Sequence, residues 1–402
     1  MLSFQEALEQ LLAAAQPVEE IRHLPLMAAR GRVLAEAQQA TIDVPPADNS
    51  AMDGYAVRAA DITAAGLTLP LSQRIIAGSV GEPLQPGTAA RIFTGAPIPA
   101  GVDAVIMQER CTQEGEGVRI NVMPRLGDNI RRQGEDMARG CDILPAGCRL
   151  RAQEIALAAA AGLPSLPVYR RLRVGMFFTG NELITPGEPL PPGGIYDSNR
   201  YALHALLDAM GCEVRDLGVI PDSLEATRAA LREAAENNDL VLTSGGVSVG
   251  EEDHVKPAME AEGTLNLWKI AIKPGKPLAF GQLKGARPAW FIGLPGNPVA
   301  AFVTFLMLVR PFILRLQGVH DVTPKTLSLP AAFTWSRPDA RLEFLRARIT
   351  QSGSVAIYPN QGSGVLTSLC WGDGLVLNPP QHTVAAGDLV QFVSFSELMG
   401  CA

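Results

Sequence analysis

Strand and helix patterns alternate between residues 173 and 317, and this alternation constrains the fold of the 402-residue chain more than any other feature. In chain order the patterns are strand 174–179, helix 198–210, strand 213–220, helix 223–237, strand 240–243, a helix after Glu252 and a long apolar helix at 298–317. Strands that alternate with helices of about 10–15 residues are typical of a parallel sheet with right-handed crossovers. The carboxyl ends of such strands face the ligand crevice. We therefore expect the loops after Thr179, Ile220 and Thr243 to meet at one edge of the sheet.

The segments on either side of this region predict further domains. Short β-type segments separated by Gly and Pro follow residue 45, and about five strand-like runs follow residue 327. Helix patterns occur over residues 4–15, near residues 26–38 and over residues 151–161. The fold class is a multidomain α/β protein with a β-rich N-terminal domain, a parallel-sheet α/β domain and a small C-terminal β-barrel domain. The predicted domains are a helical linker or dimerisation domain at 1–44 with 150–172, a β-rich extended domain at 45–149, an α/β domain at 173–318 and a β-barrel domain at 319–402.

Charge and hydropathy exclude several classes of partner. The formal net charge is −7, so no long-range positive field attracts nucleic acid or an anionic membrane. The apolar stretch at 299–316 contains Arg310 and Arg315, so we interpret it as a buried helix rather than a membrane span. The first 16 residues lack Lys and Arg, and the six cysteines form no Cys-x-x-Cys pair. We expect a cytoplasmic protein with reduced cysteines.

A glycine-rich loop follows the strand at 240–243. Its sequence is Ser244-Gly245-Gly246-Val247-Ser248, and a helix pattern begins shortly after it. Free backbone N–H groups in such a loop can cradle a phosphate group. A tight strand-to-helix turn explains the same residues equally well, and neither a Walker A nor a Gly-x-Gly-x-x-Gly motif is present.

Three acidic residues follow the predicted strands at the same edge, namely Glu182, Asp222 and Asp253. Carboxylates beside phosphate groups are ligands that Mg²⁺ prefers. Helix capping is the alternative, and it is favoured for Asp222 or Asp253 taken alone. Their shared edge supports a joint metal site.

Three of the six lysines, Lys269, Lys273 and Lys276, lie within ten residues. Alternation predicts Lys269 and Lys273 on one side of a strand, and the turn at Pro274-Gly275 would present Lys276. This concentration indicates an anion pocket. A solvated edge strand protected by lysines is the alternative.

Five motifs together resemble the bacterial MoeA proteins and the gephyrin E domain. The segment 294–298 alone could be a helix start, and the polar loops near residues 48–56 and 94–97 could simply pair charges at the surface. In order, the matching motifs are 48–56, 94–97, 244–248, 273–277 and 294–298, and the resemblance spans nearly the whole chain.

The resemblance implies a molybdopterin molybdenumtransferase, in which adenylated molybdopterin and molybdate give molybdenum cofactor, AMP and water with Mg²⁺. It implies a homodimer whose cleft lies between the molybdopterin-binding α/β domain of one subunit and the β-rich domain of the other. Other molybdenum cofactor biosynthesis proteins are the expected further partners. The implied catalytic residues are Asp53, Thr94, Asp136, Glu182, Asp222 and Lys273. The implied substrate-binding residues are Arg131, Ser244, Gly245, Gly246, Ser248, Lys269, Lys276, Pro295, Pro298, Arg346 and Ser368. The implied metal ligands are Glu182, Asp222 and Asp253.

Within this resemblance, Asp53, Thr94, Arg131 and Asp136 would reach across the dimer, and Arg346 and Ser368 would contribute to the oxyanion site. Asn181 stands where many relatives carry Asp, which removes a negative charge beside the implied metal. Two other functions remain open: a scaffold of the gephyrin type and a molybdopterin adenylyltransferase. The retained charged residues favour the metal-inserting enzyme.

Overall fold

The computed structural model describes residues 1–246, 254–285 and 287–400, apart from the side chain of Leu267. Its helices are α1 (Phe4–Ala14), α2 (Ala152–Ala160), α3 (Ser198–Ala209), α4 (Leu224–Asn237), α5 (Val255–Glu262), α6 (Pro298–Thr304), α7 (Arg310–Leu316), α8 (Thr367–Trp371) and α9 (Phe395–Met399). Short 3-10 helices span Leu26–Ala28, Ala59–Asp61 and Gln108–Arg110. Helices α3 and α4 begin and end within one residue of the predicted bounds.

The first 169 residues contain mainly short strands. These are β1 (Ile21–Pro25), β2 (Gln38–Gln39), β3 (Asn49–Ser50), β4 (Gly54–Val57), β5 (Leu67–Ile75), β6 (Ala89–Ile92), β7 (Ala104–Met107), β8 (Cys111–Glu114), β9 (Gly117–Ile120), β10 (Ile130–Arg131), β11 (Asp142–Leu144) and β12 (Ser165–Tyr169). Six of them form one sheet in the order β7-β4-β6-β5-β9-β8. Strand β1 pairs with β12, and β2 pairs with β11. These pairs join the first 44 residues to the segment that ends at residue 169.

The helix predicted near residues 26–38 is wrong. Only the 3-10 turn at Leu26–Ala28 forms there, and Gly31 adopts a positive φ of 75°. The backbone N–H of Leu34 donates instead to the carbonyl of Cys148 at 2.9 Å. The apolar side chains of this segment pack against residues 144–168. Long-range pairing with that later segment therefore replaces the local helix that the apolar spacing indicated.

The α/β region is built on a six-stranded sheet. Its strands and the short neighbouring ones are β13 (Arg173–Thr179), β14 (Leu183–Ile184), β15 (Ile195–Tyr196), β16 (Glu213–Ile220), β17 (Leu240–Ser244), β18 (Gly263–Lys269), β19 (Ile272–Lys273), β20 (Pro277–Leu283) and β21 (Ala289–Leu294). The order is β16-β13-β17-β21-β20-β18. The first four strands are parallel, as predicted for β13, β16 and β17, whereas β21 was not predicted; β20 and β18 add two antiparallel strands.

Alternate residues of the buried strand β13 face two different apolar clusters. Met176 and Phe178 pack with α3 and with the helical segment 298–316, whereas Phe177 packs with α4 and α5. This period of two is the pattern expected when helices cover both faces of a sheet. The segment 298–316, in which a π-helical turn at Phe305–Val309 joins α6 to α7, is apolar and long enough to cross a membrane, but 89% of it is buried in the protein. The prediction of a buried helix is confirmed.

The C-terminal strands are β22 (Leu327–Pro330), β23 (Leu342–Ile349), β24 (Val355–Ile357), β25 (Gly374–Asn378) and β26 (Leu389–Ser394). They form a sheet in the order β19-β23-β25-β26-β22, with β24 paired to β23. Strand β19 therefore belongs to the C-terminal sheet and not to the α/β sheet, and Lys273 on β19 lies opposite Glu343 on β23. The prediction that Lys269 and Lys273 share one side of one strand is wrong, because β18 ends at Lys269 and β19 belongs to another sheet.

Candidate active site

A cleft of about 760 Å³ lies where β13, β17 and β21 end, which confirms the expected edge of the sheet for the loops after Thr179 and Thr243. Seven of the candidate residues line it: Glu182, Ser244, Gly245, Gly246, Lys273, Lys276 and Pro295. Residues 361–363 of the C-terminal region and Arg341 complete its walls. The cleft is thus shared between the α/β sheet and the C-terminal sheet.

The glycine-rich turn is held by its own polar groups. The Ser244 hydroxyl donates to the carbonyl of Pro295 at 2.9 Å and accepts from the Asn199 amide at 2.8 Å. The Gly245 N–H donates to the carbonyl of Leu294 at 3.1 Å, so this amide is not free to bind a phosphate group, and the loop from Val247 onward lies outside the described residues. These bonds tie the turn to the end of β21. Ser248 lies outside the described residues.

Among the described residues, two carboxylates line the cleft, Glu182 and the unpredicted Asp197. Asp197 caps α3, accepts the Arg200 N–H at 3.1 Å and is only 3% exposed. Its second oxygen is buried without a hydrogen-bond partner among the described residues, and burial raises the pKa of this carboxyl group. A buried carboxylate oxygen without a partner is costly, and such groups occur often at functional sites.

Asp222 follows β16 at the same edge of the sheet but does not line the cleft. It does not cap α4 either, because the Ser223 hydroxyl accepts the N–H of Ala226 at 3.3 Å. Asp253 lies outside the described residues. Within the ranges that the structure describes, no three His, Cys, Asp or Glu side chains are grouped to hold a metal ion.

The three lysines occupy different environments. Lys276 is exposed in the cleft wall, on the turn that contains Gly275. Position 275 requires glycine, because its φ is 101° and a Cβ there would overlap Thr304 Oγ1. Lys273 Nζ lies 3.2 Å from Glu343 Oε1 and 3.4 Å from Asp339 Oδ2. In the described part of the chain, Lys276 forms no ion pair, and its charge is available to a ligand.

A network behind Lys273 fixes its position. Glu343 is fully buried and also accepts from Trp335 Nε1 at 2.8 Å and from the Asn378 amide at 3.2 Å. Arg341 donates to both oxygens of Asp339 at 2.8 and 2.9 Å, and these bonds hold the pKa of Asp339 well below its ordinary value. Sequence reasoning missed Arg341 and Glu343, which belong to no motif and reach the site only through the pairing of β19 with β23.

Lys269 is exposed at the end of β18, outside the cleft lining, and Pro298 occupies the first turn of α6. Neither side chain is brought to the cleft, whereas Pro295 is. The role of Pro298 visible here is the start of a buried helix, because its fixed φ suits that position.

Arg346 and Ser368 contact each other behind the cleft wall. Arg346 is 1% exposed, and its guanidinium donates to Ser368 Oγ at 3.1 Å and to the carbonyl of Gly362 at 3.1 Å. Burial lowers the pKa of Arg346 to about 10. Gly362 lines the cleft, as does Gln361, whose side chain accepts the Arg346 N–H at 2.9 Å. Arg346 therefore supports this wall and keeps a positive charge behind it.

The four residues expected to act across a dimer lie on the β-rich region and line no part of their own cleft. Thr94 donates both its N–H and its hydroxyl to Asp53 Oδ1, at 2.8 and 2.7 Å. These bonds lower the pKa of Asp53. Arg131 and Asp136 are exposed. Asp53 is thus a fixed, ionised carboxylate at the surface of this region.

Three protein-family profiles match the chain in order. They are described as the MoeA N-terminal region (domain I and II) at residues 2–162, a probable molybdopterin binding domain at 175–315 and the MoeA C-terminal region (domain IV) at 328–395. The chain is 41% identical over 411 residues to molybdopterin molybdenumtransferase of Haemophilus influenzae, with 100% of both chains covered. It is 43% identical over 300 residues to the protein of that name from Nostoc, covering 73% of this chain and 69% of the relative.

Solved structures give the same result. A molybdopterin biosynthesis moeA protein from Pyrococcus horikoshii OT3 superimposes with a TM-score of 0.85 at 30% identity, covering 98% of this chain and 100% of the other. A second structure of the Pyrococcus protein gives a TM-score of 0.78 at 31% identity, covering 98% and 99%.

Proposed function

The chain belongs to the molybdopterin molybdenumtransferase family, and we propose that the cleft at the carboxyl edge of its parallel sheet is where it inserts molybdenum into molybdopterin. The protein is accordingly an enzyme of molybdenum cofactor biosynthesis. In the proposed reaction, adenylated molybdopterin and molybdate give molybdenum cofactor, AMP and water. One observation carries the assignment to this cleft: carboxylate side chains that follow β13 and precede α3 line the same space as cationic side chains from β19 and from the segments beside β19 and β23.

Lys276 is the group that best suits an oxyanion, and Arg341, which is paired with Asp339, adds a second guanidinium donor to the cleft wall. Molybdate is a tetrahedral dianion that needs several donors in a small volume, and ammonium and guanidinium groups supply charge-assisted hydrogen bonds. Asp339 binds two guanidinium nitrogens of Arg341 and thereby orients the group. Lys273 is partly neutralised by Glu343, so its role is to position the 273–277 turn as well as to add positive charge.

The cleft suits Mg²⁺ only as an ion shared with the substrate. Glu182 and Asp197 offer carboxylate oxygens, and one oxygen of Asp197 has no described partner. Mg²⁺ usually takes one or two carboxylates and completes its shell with phosphate oxygens and water. Glu182 and Asp197 would hold it, with Asp222 and Asp253 as the further candidates from the sequence. When bound, the ion neutralises charge on the pyrophosphate linkage.

We further propose a homodimer in which Asp53, Thr94, Arg131 and Asp136 complete the cleft of the partner subunit. The support is that these residues lie apart from the cleft of their own subunit. The proposed location is the cytoplasm, which fits the free cysteines among the described residues, and other proteins of the pathway are the proposed partners.

Mixed dimers test the shared site. Asp53→Asn and Glu182→Gln are each expected to abolish AMP release. Random mixing gives about half heterodimers, each with one intact site of two, so about a quarter of wild-type activity should return. If each site belonged to a single subunit, the mixture would stay inactive.

The reaction itself is tested with purified protein, adenylated molybdopterin, molybdate and Mg²⁺. AMP release that depends on molybdate, together with metal insertion, is the expected result. Release of pyrophosphate from ATP would instead indicate an adenylyltransferase, and absence of both products would leave the scaffold function.

A further inference from the structure

A second cleft, of about 580 Å³, lies in the β-rich region and has no part in the function proposed above. Three of its residues form a row across adjacent strands: Tyr55 on β4 lies opposite Arg91 on β6, and Arg91 lies opposite Arg74 on β5. Phe93 follows β6 and also lines the cleft. Because hydrogen-bonded strands hold the row, its geometry is set by the sheet rather than by a loop.

The side chains of this row form a ladder of cations and aromatic rings. The Arg91 guanidinium carbon lies 5.0 Å from the centroid of the Tyr55 ring and 4.7 Å from that of Phe93. The Arg74 guanidinium carbon lies 4.9 Å from the Phe93 centroid. All three distances are within the range of cation–π attraction. Two guanidinium groups therefore contact one phenyl ring.

Neither guanidinium forms an ion pair with the carboxylates that the structure describes. Arg91 donates to neutral oxygens, the Gly54 carbonyl at 3.0 Å and the Gln108 amide at 2.6 Å. Arg74 is exposed, and within residues 1–246, 254–285 and 287–400 its side chain forms no hydrogen bond, although its backbone pairs in β5. Two like charges are thus held beside one ring in a protein with net charge −7. A bound anion would relieve their repulsion.

Three of the eight residues that line the cleft are aromatic or aliphatic, and the other five are Ser, Gln or Arg. Tyr55 is only 6% exposed and belongs to the apolar cluster on this face of the sheet, and Leu71 packs against the same cluster. Apolar side chains beside convergent polar groups are typical of small-molecule sites. Rings that stack on aromatic and guanidinium groups suit this lining, and an acid group suits Arg74, which forms no ion pair with the described carboxylates.

We propose that this second cleft binds a planar heterocycle that carries a phosphate or carboxylate group. The inference does not depend on metal insertion, because its residues are distinct from those lining the first cleft. AMP and pterin acids share this chemistry, and separate titrations with each distinguish them. Two lining residues of the second cleft lie close in sequence to Asp53 and Thr94: Tyr55 follows Asp53 by two residues, and Phe93 directly precedes Thr94.

The test is calorimetric titration of the full-length protein with AMP and, separately, with pterin-6-carboxylate. Arg74→Ala should weaken binding at this site at least about 10-fold, the loss expected for one charge-assisted contact. Arg119→Ala is the matched control, because Arg119 lies in the same sheet and its one ion pair among the described residues is with exposed Glu114 at 3.2 Å. Lys276→Ala changes the first cleft alone and should leave this binding step within about 2-fold of wild type.

Hydrogen exchange locates the site. The proposal is supported if added ligand protects the amides of residues 71–74 and 89–93 from exchange and if this protection is lost in Arg74→Ala. The probe, AMP or pterin-6-carboxylate, that produces the protection identifies the ligand. Equal binding by Arg74→Ala and Arg119→Ala overturns the proposal, as does complete loss of binding in Lys276→Ala. Equal affinity for inorganic phosphate also overturns it, because no heterocycle would then be needed. If Arg74→Ala fails to fold, Arg74→Gln provides the uncharged comparison.

Discussion

Replacing Lys276 with alanine should weaken molybdate binding strongly and leave the fold unchanged. Lys276 lines the cleft, and in the described part of the chain it forms no ion pair, so its loss leaves no buried carboxylate without a partner. A hydrogen bond to a charged group contributes about 1.5–3 kcal/mol. At 1.36 kcal/mol per factor of ten, this corresponds to a rise of about 10- to 150-fold in the molybdate concentration for half-maximal AMP release.

The assay is AMP release at fixed adenylated molybdopterin and varied molybdate. Lys284→Ala is the matched control, since Lys284 is exposed beyond β20 and outside the cleft lining. Lys276→Arg keeps the charge and should recover part of the affinity. The melting temperature of Lys276→Ala should stay within about 2 °C of wild type. A molybdate dependence equal to that of Lys284→Ala would refute the reasoning.

Three further variants test the surroundings of the cleft. Lys273→Ala should lower the unfolding free energy by about 1–2 kcal/mol, because buried Glu343 loses its cation; this figure is reduced from that of a fully buried pair because Lys273 is half-exposed. The substitution should also depress AMP release. An unchanged thermal unfolding transition would contradict the predicted loss of stability. Asp339→Asn should be less stable than wild type at neutral pH, because Arg341 lowers the pKa of Asp339 in the folded state. The difference in unfolding free energy between the two proteins should shrink as the pH falls below 3.8, the ordinary pKa of an aspartate. Denaturant titrations at pH 3 and pH 7 measure this difference. Asp222→Ala should keep the fold and reduce AMP release, and wild-type turnover would remove Asp222 from the site.

The parallel sheet could be predicted from the sequence because its signals are local. The strand pattern at 213–220 and the helix pattern at 223–237 arise from side-chain periodicity within single elements, and both agree with the structure to within one residue. The position of the cleft followed from the rule for the carboxyl ends of parallel strands. Local pattern failed at residues 26–38, where apolar spacing suits a helix but the backbone pairs with a segment more than 100 residues later.

The surroundings of the cleft could not be predicted in the same way. Glu343 and Arg341 approach Lys273 only because β19 joins the C-terminal sheet, a contact between residues 70 positions apart. Asp197 looks like an ordinary helix cap in the sequence, and only burial reveals its unpartnered oxygen. Arg346 was found through the family resemblance, since no spacing in the sequence distinguishes it from a surface arginine.

Anomalous diffraction at the molybdenum edge from crystals soaked in molybdate tests the central claim most directly. We predict an anomalous peak inside the 760 Å³ cleft, within hydrogen-bond distance of Lys276 Nζ, that disappears in Lys276→Ala. A strong peak outside this cleft, unchanged by the substitution, would contradict the assignment of the metal-inserting site.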